Sequence, residues 1–217
     1  IGEVKRLNDF LEKFFNEIQI LVYLRRQDLV ATSLYNTLLK GGRIRTEIIP
    51  HNVDQNNHYF NYDLLLEKWS QVFGRDCVRV RLFQKDELIN NNIIDDFNGV
   101  INIEFATGEY KIPRNQNVSL SKIAQKILLN YNRLFYKKAN RNFEPTNNHI
   151  GNKLANVVSV LFPGRGHLPD NETATRFMSV FLESNRAVAR KWFNRDQLFS
   201  DDFSMYEKKT VKSWFYR

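Results

Sequence analysis

The chain has 217 residues, 42% of them hydrophobic and 26% charged, which is typical of one folded domain over residues 1–217 and excludes disordered and collagen-like proteins. We expect no membrane span, because no apolar run approaches the roughly 20 residues that a bilayer requires. The formal net charge of +8 predicts attraction to polyanions or to phosphate-bearing molecules.

The N-terminal part of the chain has the pattern of a helix, a buried strand and a second helix. Apolar residues recur at every third or fourth position over residues 5–17, as in an amphipathic helix. The apolar and β-branched run over residues 18–24 predicts a strand buried on both faces. Helical spacing returns over residues 29–40, with Asp28 as the N-cap candidate and a glycine pair at the other end.

The middle of the chain predicts a long loop and a second helix–strand pair. Residues 43–61 are polar and without periodicity, residues 62–73 are amphipathic, and residues 77–83 alternate apolar and basic side chains. Because each predicted strand follows a helix, we expect an α/β fold with a mainly parallel sheet flanked by helices. Ligands of such sheets bind beyond the carboxyl ends of the strands.

The C-terminal half is predicted to be mostly helical. Short turns and one or two helical turns are expected over residues 86–98. Longer helices are predicted over residues 120–136, 153–161 and 172–193.

Cysteine and histidine usage gives no support to disulfide or metal chemistry. The single cysteine, Cys77, excludes an intrachain disulfide, and the first residues lack a secretory signal pattern, so we expect a cytoplasmic protein. No two of the four histidines have metal-ligand spacing, and we predict no metal site. The zinc, helix-turn-helix and RNA-binding strand motifs are also missing, so no specific nucleic-acid partner is expected.

Arg25 and Ser33 form the first candidate binding pair. Arg25 follows the predicted strand, and Ser33 comes eight residues later, in the second turn of the next helix. A guanidinium fork, a hydroxyl and a helix N-terminus together suit a phosphate group. From the spacing alone, a surface arginine paired with Asp28 is the simpler interpretation, and phosphate binding is the alternative.

The stretch "VYLRRQDLVATSLYN" resembles the segment with which sulfotransferases bind the 3'-phosphate of their donor, 3'-phosphoadenosine 5'-phosphosulfate (PAPS). In that segment a strand-end arginine is followed at the same spacing by a serine and then by an aromatic residue, here Arg25, Ser33 and Tyr35. This version of the motif is similar to that of bacterial family members linked to surface polysaccharides. The resemblance implies the P-loop NTPase-like sulfotransferase fold and a bacterial enzyme.

Other stretches extend the resemblance in the same chain order. "YDLLLEKWSQVFGRDCVRVRLFQKDEL" is similar to a helix–strand unit of these enzymes, and "FLESNRAVARKWFNRDQLF" resembles their closing helix. "PGRGHLPDN" is similar to the Gly-Arg-x-His loop that covers the donor nucleotide in glycan O-sulfotransferases. The resemblance therefore implies donor-binding roles for Gly164, Arg165, Gly166 and His167.

The chain departs from the family at the phosphosulfate loop. No glycine-rich stretch with Lys and Ser or Thr precedes Arg25, so we expect this loop either to lie upstream of Ile1 or to be lost in a degenerate relative. No catalytic base is assigned. His51 and His58 lie in the polar loop where an acceptor is expected to bind, and they are the substrate-binding candidates.

The leading hypothesis is a PAPS-dependent sulfotransferase that modifies a carbohydrate hydroxyl. The alternative is a non-catalytic anion- or glycan-binding protein on the same scaffold; a nucleotide kinase is disfavoured because Gly-Lys-Ser/Thr is missing. The basic cluster Arg133, Lys137, Lys138 and Arg141 is interpreted as a solvated surface or a contact for an anionic polysaccharide. Asp95 and Asp96 are interpreted as solvated caps.

Overall fold

The computed structural model describes residues 2–102, 119–138 and 149–207 of the chain. Two compact units are present, and each is assembled from three separate stretches. The first comprises Ile1–Gln27, Asp54–Gln116 and Val180–Phe199, and the second comprises Asp28–Val53, Asn117–Ser179 and Ser200–Arg217. That residues 1–217 form one domain stays a prediction.

The described residues form a helix-rich fold with a two-stranded parallel sheet, in agreement with the predicted α/β class. The strands are β1 (Ile20–Leu24) and β2 (Val78–Leu82). The helices are α1 (Gly2–Leu11), α2 (Gln27–Lys40), α3 (Tyr62–Phe73), α4 (Ile93–Ile101), α5 (Lys122–Lys138), α6 (His149–Leu161), α7 (Asn171–Val180) and α8 (Leu182–Phe193). None of the helices in this part of the chain combines the length and apolar character needed to cross a bilayer.

The sheet lies in the first unit. β1 and β2 pair in parallel from Ile20 opposite Val78 to Leu24 opposite Leu82. Leu24 is 1% exposed and Leu82 is 2% exposed, so both strands end in the core. This pairing confirms the predicted parallel arrangement, and it brings the carboxyl ends of both strands to one edge.

α3 supports the sheet because both of its ends are fixed locally. The Asn61 side chain accepts a hydrogen bond from the backbone nitrogen of Leu64, and Gly74 ends the helix with a φ of 87°. α3 packs against α1, α8 and β2. Aromatic contacts fill the same core: the ring centroids of Phe60 and Phe181 lie 5.8 Å apart.

The core of the second unit lies where α2, α5 and α6 meet. The Asn132 side chain lies at the end of this core that is next to the C-terminus of α2. It donates to the backbone carbonyls of Leu39 at 2.9 Å and of Arg43 at 3.0 Å, which gives carbonyls at the end of the helix a hydrogen-bond partner. The buried apolar members are Tyr35, Leu39, Leu120, Ala124, Leu128, Ala155 and Val158.

The first helix differs from its prediction. α1 ends at Leu11 and not at residue 17, and the side chains of Phe10, Phe14 and Phe15 are each more than half exposed. The three- and four-residue spacing of these aromatic residues therefore does not mark a buried face.

Two further helix predictions are corrected. The helix predicted over residues 172–193 is two helices, because Phe181 leaves the helical conformation (φ −105°, ψ 11°) with its side chain fully buried. α2 begins at Gln27, so Asp28 lies in the first turn and not at the N-cap. The Asp28 carboxylate accepts a hydrogen bond from the Tyr206 hydroxyl at 2.8 Å.

Candidate functional site

Arg25 lies at the carboxyl end of the parallel sheet, as predicted. It follows Leu24 directly, and the backbone nitrogen of Phe83 donates to the Leu24 carbonyl at 2.6 Å, which extends the strand pairing by one residue. The guanidinium carbon of Arg25 lies 5.7 Å from the centroid of the Phe83 ring, within the range of a cation–π contact. This edge of the sheet therefore presents a cation beside an aromatic face.

The two arginines that follow β1 have different environments. Arg25 is partly exposed, whereas Arg26 is only 6% exposed. The backbone around them is fixed: the Tyr62 hydroxyl donates to the Arg25 carbonyl, and the Gln27 side chain donates to the Phe60 carbonyl at 3.1 Å. Of the pair, Arg25 has the more accessible side chain.

A pocket of about 590 Å³ opens at the same edge, and we call it the sheet-end pocket. Its wall is almost entirely apolar, with a contribution from Phe83, the ring that Arg25 contacts. Asn98 is the polar residue of the wall, and its side-chain oxygen is buried without a hydrogen-bond partner among the described residues. The lining residues are Tyr23, Phe83, Ile93, Ile94, Phe97 and Asn98.

A partly buried ion pair between Arg81 and Asp96 holds the wall of the sheet-end pocket in place. The Asp96 carboxylate accepts from the Arg81 guanidinium in a two-pronged contact, from the Tyr23 hydroxyl at 2.8 Å and from the Ile89 backbone nitrogen at 3.1 Å. These contacts, the Arg81 guanidinium first, lower the pKa of Asp96 to about 2. Burial and the neighbouring carboxylate raise the pKa of Tyr23 to about 12.

The interpretation of Asp96 as a solvated cap was therefore wrong. Its side chain is fully buried, while Asp95 accepts a hydrogen bond from the Asn90 side chain at 3.2 Å. No signal in the sequence pointed to this network, because Tyr23 and Arg81 come to stand opposite each other only in the strand register of the folded sheet.

In the second unit, the loop over residues 163–167 is tied to the first turn of α5. The Lys122 backbone nitrogen donates to the Arg165 carbonyl at 3.3 Å, and the His167 backbone nitrogen donates to the Gln125 side chain at 2.8 Å. A β-carbon at Gly166 would lie 2.3 Å from the Gln125 amide nitrogen, so no other residue fits without displacing a neighbour. Gly164 has a φ of 138°, which only glycine adopts readily.

Two pockets border this loop. An open one of about 460 Å³ includes Lys122, Gly164 and Arg165 in its wall. The other, of about 410 Å³, we call the loop pocket. The residues that line the loop pocket are Tyr35, Thr46, Ile48, Gln125, Lys126, Leu129, His167 and Leu168.

The predicted donor residues of the second unit separate into two groups. Gly164, Arg165, Gly166 and His167 share the loop, and the His167 side chain lies in the loop pocket with Tyr35. Ser33 is exposed on α2, while Tyr35, two residues later, is 5% exposed and belongs to the core. The structure therefore brings His167 to the Tyr35 face of α2.

The two predicted substrate histidines are exposed and lie in different units. His51 Nδ1 lies 3.1 Å from a guanidinium nitrogen of Arg176, and His51 Nε2 lies 3.8 Å from the Glu47 carboxylate. His58 lies in the turn before α3. Neither histidine lines the sheet-end pocket or the loop pocket.

The remaining candidates are only partly described. Arg133 is exposed on α5, whereas the side chains of Lys137 and Lys138 and the whole of Arg141 lie outside the described residues. Within the described ranges, no three side chains of His, Cys, Asp or Glu are grouped as metal ligands.

Comparison with known proteins finds one distant relative to report. An uncharacterized protein of Archaeoglobus fulgidus is 26% identical over 220 aligned positions, which cover 96% of this chain and 55% of the relative. The chain thus spans about half the length of that protein. No family model matches the chain. No solved structure matches it.

Proposed function

We propose that this protein binds 3'-phosphoadenosine 5'-phosphosulfate and transfers its sulfuryl group to a hydroxyl of a carbohydrate. The observation that carries the proposal is the position of Arg25, whose guanidinium lies beside Phe83 and the sheet-end pocket at the carboxyl end of two parallel strands. This is the edge at which α/β sheets bind their ligands.

The sheet-end pocket and Arg25 match the two halves of a nucleotide. A purine ring is flat and apolar on its faces, which suits a wall containing Tyr23, Phe83 and Phe97. The guanidinium fork of Arg25 would donate two parallel hydrogen bonds to a phosphate.

Sequence motifs supply the remaining support. The resemblance to sulfotransferases extends from Arg25 to Ser33 and to the loop that contains Arg165. Ser33 and Arg165 have exposed side chains in the second unit, so each is open to a ligand.

The proposed reaction breaks the bond between sulfur and the 5'-phosphate oxygen and forms a bond between sulfur and the acceptor oxygen. The acceptor hydroxyl loses its proton to a base, and 3'-phosphoadenosine 5'-phosphate (PAP) leaves with the bonding electron pair. Cations near PAP stabilise the charge that develops on it. We assign no base among the described residues.

Calorimetry with PAP tests the proposal, using the longest form of the protein that its gene encodes. We expect micromolar binding, and a loss of about 10- to 100-fold in Arg25→Ala, because charge-assisted hydrogen bonds to a phosphate are removed. Arg79→Ala is the matched control: Arg79 is an exposed arginine of β2 that contacts the Gln19 side chain at 2.9 Å, and its variant should bind PAP like the parent.

Two outcomes would overturn the proposal. Absence of PAP binding in the parent protein excludes the donor. Equal losses in Arg25→Ala and Arg79→Ala exclude a specific site at the end of the sheet. Retained binding of an acidic polysaccharide without PAP binding would identify a non-catalytic glycan-binding protein.

A further inference from the structure

We propose that the loop pocket of the second unit binds an anionic sugar, a uronate or sulfated residue of the polysaccharide acceptor. This inference rests on the proposed function, which calls for a carbohydrate acceptor but does not say where it binds or whether it is charged. The pocket is built entirely by residues of one unit, from α2, α5 and two loops.

The volume and lining of the loop pocket suit a sugar. At about 410 Å³ it lies within the range of small-ligand sites, about 300–1,000 Å³. Thr46 is exposed and brings a hydroxyl group that can exchange hydrogen bonds with sugar hydroxyls, and Ile48 and Leu129 bring apolar surface for the carbon–hydrogen face of the ring. A pyranose has this same division between a polar edge and an apolar face.

The charge around the loop pocket selects an anion. Lys126 lines it, and the Arg133 guanidinium lies close enough to Tyr35 to oppose the rise that burial causes in the pKa of that hydroxyl. The described lining contains no aspartate or glutamate, and Glu47, next to Thr46, lies 3.8 Å from His51. A carboxylate or sulfate on the sugar would meet cations on α5 without a competing acid.

Hydrogen bonds within the protein fix one wall of the loop pocket. Gln125 is 2% exposed, and its amide donates to Asn36 at 2.9 Å while accepting from the His167 backbone nitrogen at 2.8 Å. Gly166 packs against the same amide, since a β-carbon there would lie 2.3 Å from it. The backbone of His167 is therefore held at the edge of the pocket before a ligand binds, which lowers the ordering that binding requires.

The same cations would also attract the phosphate of a nucleotide, so charge alone does not distinguish an anionic sugar from a nucleotide. Ser33 argues for the sugar. It is exposed on α2, whereas Tyr35 is buried two positions later, which is a rotation of about 200° around the helix. The serine of the phosphate-binding motif thus does not share the helix face that forms the loop pocket.

The test is a titration with three probes: a hyaluronan tetrasaccharide, which carries glucuronate; the neutral tetramer of N-acetylglucosamine; and PAP. We expect the acidic tetrasaccharide to bind at least tenfold more tightly than the neutral one. Lys126→Ala and His167→Ala should each weaken it about tenfold. Lys153→Ala, an exposed lysine of α6 in the same unit, is the matched control and should change nothing.

The probes separate this inference from the proposed function. Lys126 and His167 have exposed side chains, so circular dichroism should show both variants folded. Equal affinity for the acidic and neutral tetrasaccharides, or the same loss in Lys153→Ala, overturns the inference. So does weakened PAP binding in Lys126→Ala, because the pocket would then hold the donor. Saccharide binding without PAP binding would leave the pocket in place and remove only the sulfotransferase.

Discussion

Gln27 and Asn185 exchange amide hydrogen bonds across 158 residues of chain. The Gln27 amide nitrogen donates to the Asn185 oxygen at 2.6 Å, and the Asn185 nitrogen donates to the Gln27 oxygen at 3.2 Å. Gln27 is fully buried, and its second donor reaches the Phe60 carbonyl. This pair fixes the backbone two residues after Arg25 to α8, both within the first unit.

Asn185→Ala should lower the free energy of unfolding by about 2–3 kcal/mol, because the buried Gln27 amide loses its two hydrogen bonds to Asn185. Urea unfolding followed by circular dichroism measures the loss. Arg186→Ala is the neighbouring control: its partner is the exposed carboxylate of Glu183, and it should change stability by less than about 0.5 kcal/mol. Equal urea midpoints for Asn185→Ala and the parent would contradict the structural role of the pair.

Asp96 should make stability depend on acid pH. Its pKa is about 2 in the folded protein, against an ordinary 3.8. A lowered carboxyl pKa contributes stability that is fully present above about pH 4 and is lost as the pH falls to about 2. We expect Asp96→Asn to be about 2 kcal/mol less stable than the parent at pH 6, and the difference to shrink at pH 2.5.

Urea midpoints at pH 6, 4 and 2.5 measure that difference, with Asp95→Asn as the control on the adjacent carboxylate. Asp95 is partly exposed and accepts from the Asn90 side chain, so its variant should follow the parent at each pH. A gap between Asp96→Asn and the parent that stays constant down to pH 2.5 would refute the link between the ion pair and acid stability.

Gly166→Ala should strain the loop of the second unit. The added β-carbon would lie 2.3 Å from the Gln125 amide nitrogen and 2.6 Å from the Leu120 carbonyl oxygen. Overpacking of this kind costs about 1–3 kcal/mol, and thermal unfolding should report it. Gly2→Ala is the control because its β-carbon meets nothing within 4 Å. Identical melting temperatures for the two variants would show that the loop yields without cost.

Arg25→Lys should separate the contribution that the positive charge of Arg25 makes to PAP affinity from the contribution of its planar guanidinium group. Lysine keeps the positive charge but lacks the planar fork, so PAP should bind about tenfold more weakly than to the parent and more tightly than to Arg25→Ala. Calorimetry over a salt series should give Arg25→Lys the salt dependence of the parent, since the number of charges is unchanged. If the lysine and alanine variants bind PAP equally, the charge of Arg25 contributes nothing.

Phe97→Ala should weaken PAP by about tenfold if the base occupies the sheet-end pocket, because a stacking surface is lost. The Phe97 side chain is 43% exposed, so the truncation should leave the fold intact. Phe10→Ala removes a similarly exposed ring from α1 and should leave PAP affinity unchanged. Fluorescence competition with PAP would distinguish the two, and unchanged affinity in Phe97→Ala would place the base elsewhere.

Local signals account for the elements that were predicted well. α3 was predicted with its observed bounds, because Asn61 and Gly74 provide a cap at each end of a periodic segment. The position of Arg25 followed from the apolar run before it and the parallel pairing of the strands. The helix ends and the apolar run depend on residues that are close in sequence, and the parallel pairing was inferred from the helix that precedes each strand.

Long-range contacts account for what the sequence did not reveal. The role of Asp96 depends on Tyr23 and Arg81, which approach it only after the sheet forms. The break at Phe181 follows from the burial of one ring, and the spacing of its neighbours continues unchanged on both sides. The sheet-end pocket was missed because its α4 side chains have no chemical signature of their own.

Each unit is formed by three separate stretches of the chain, and this determines when the protein can fold during translation. β1 leaves the ribosome before its partner β2, and the first unit also needs α8 and the residues up to Phe199. The second unit needs Tyr206, whose hydroxyl donates to the Asp28 carboxylate at 2.8 Å. A nascent chain that ends before α8 leaves the Gln27 amide without Asn185, so we expect neither unit to finish folding on the ribosome until the residues from α8 onward have emerged.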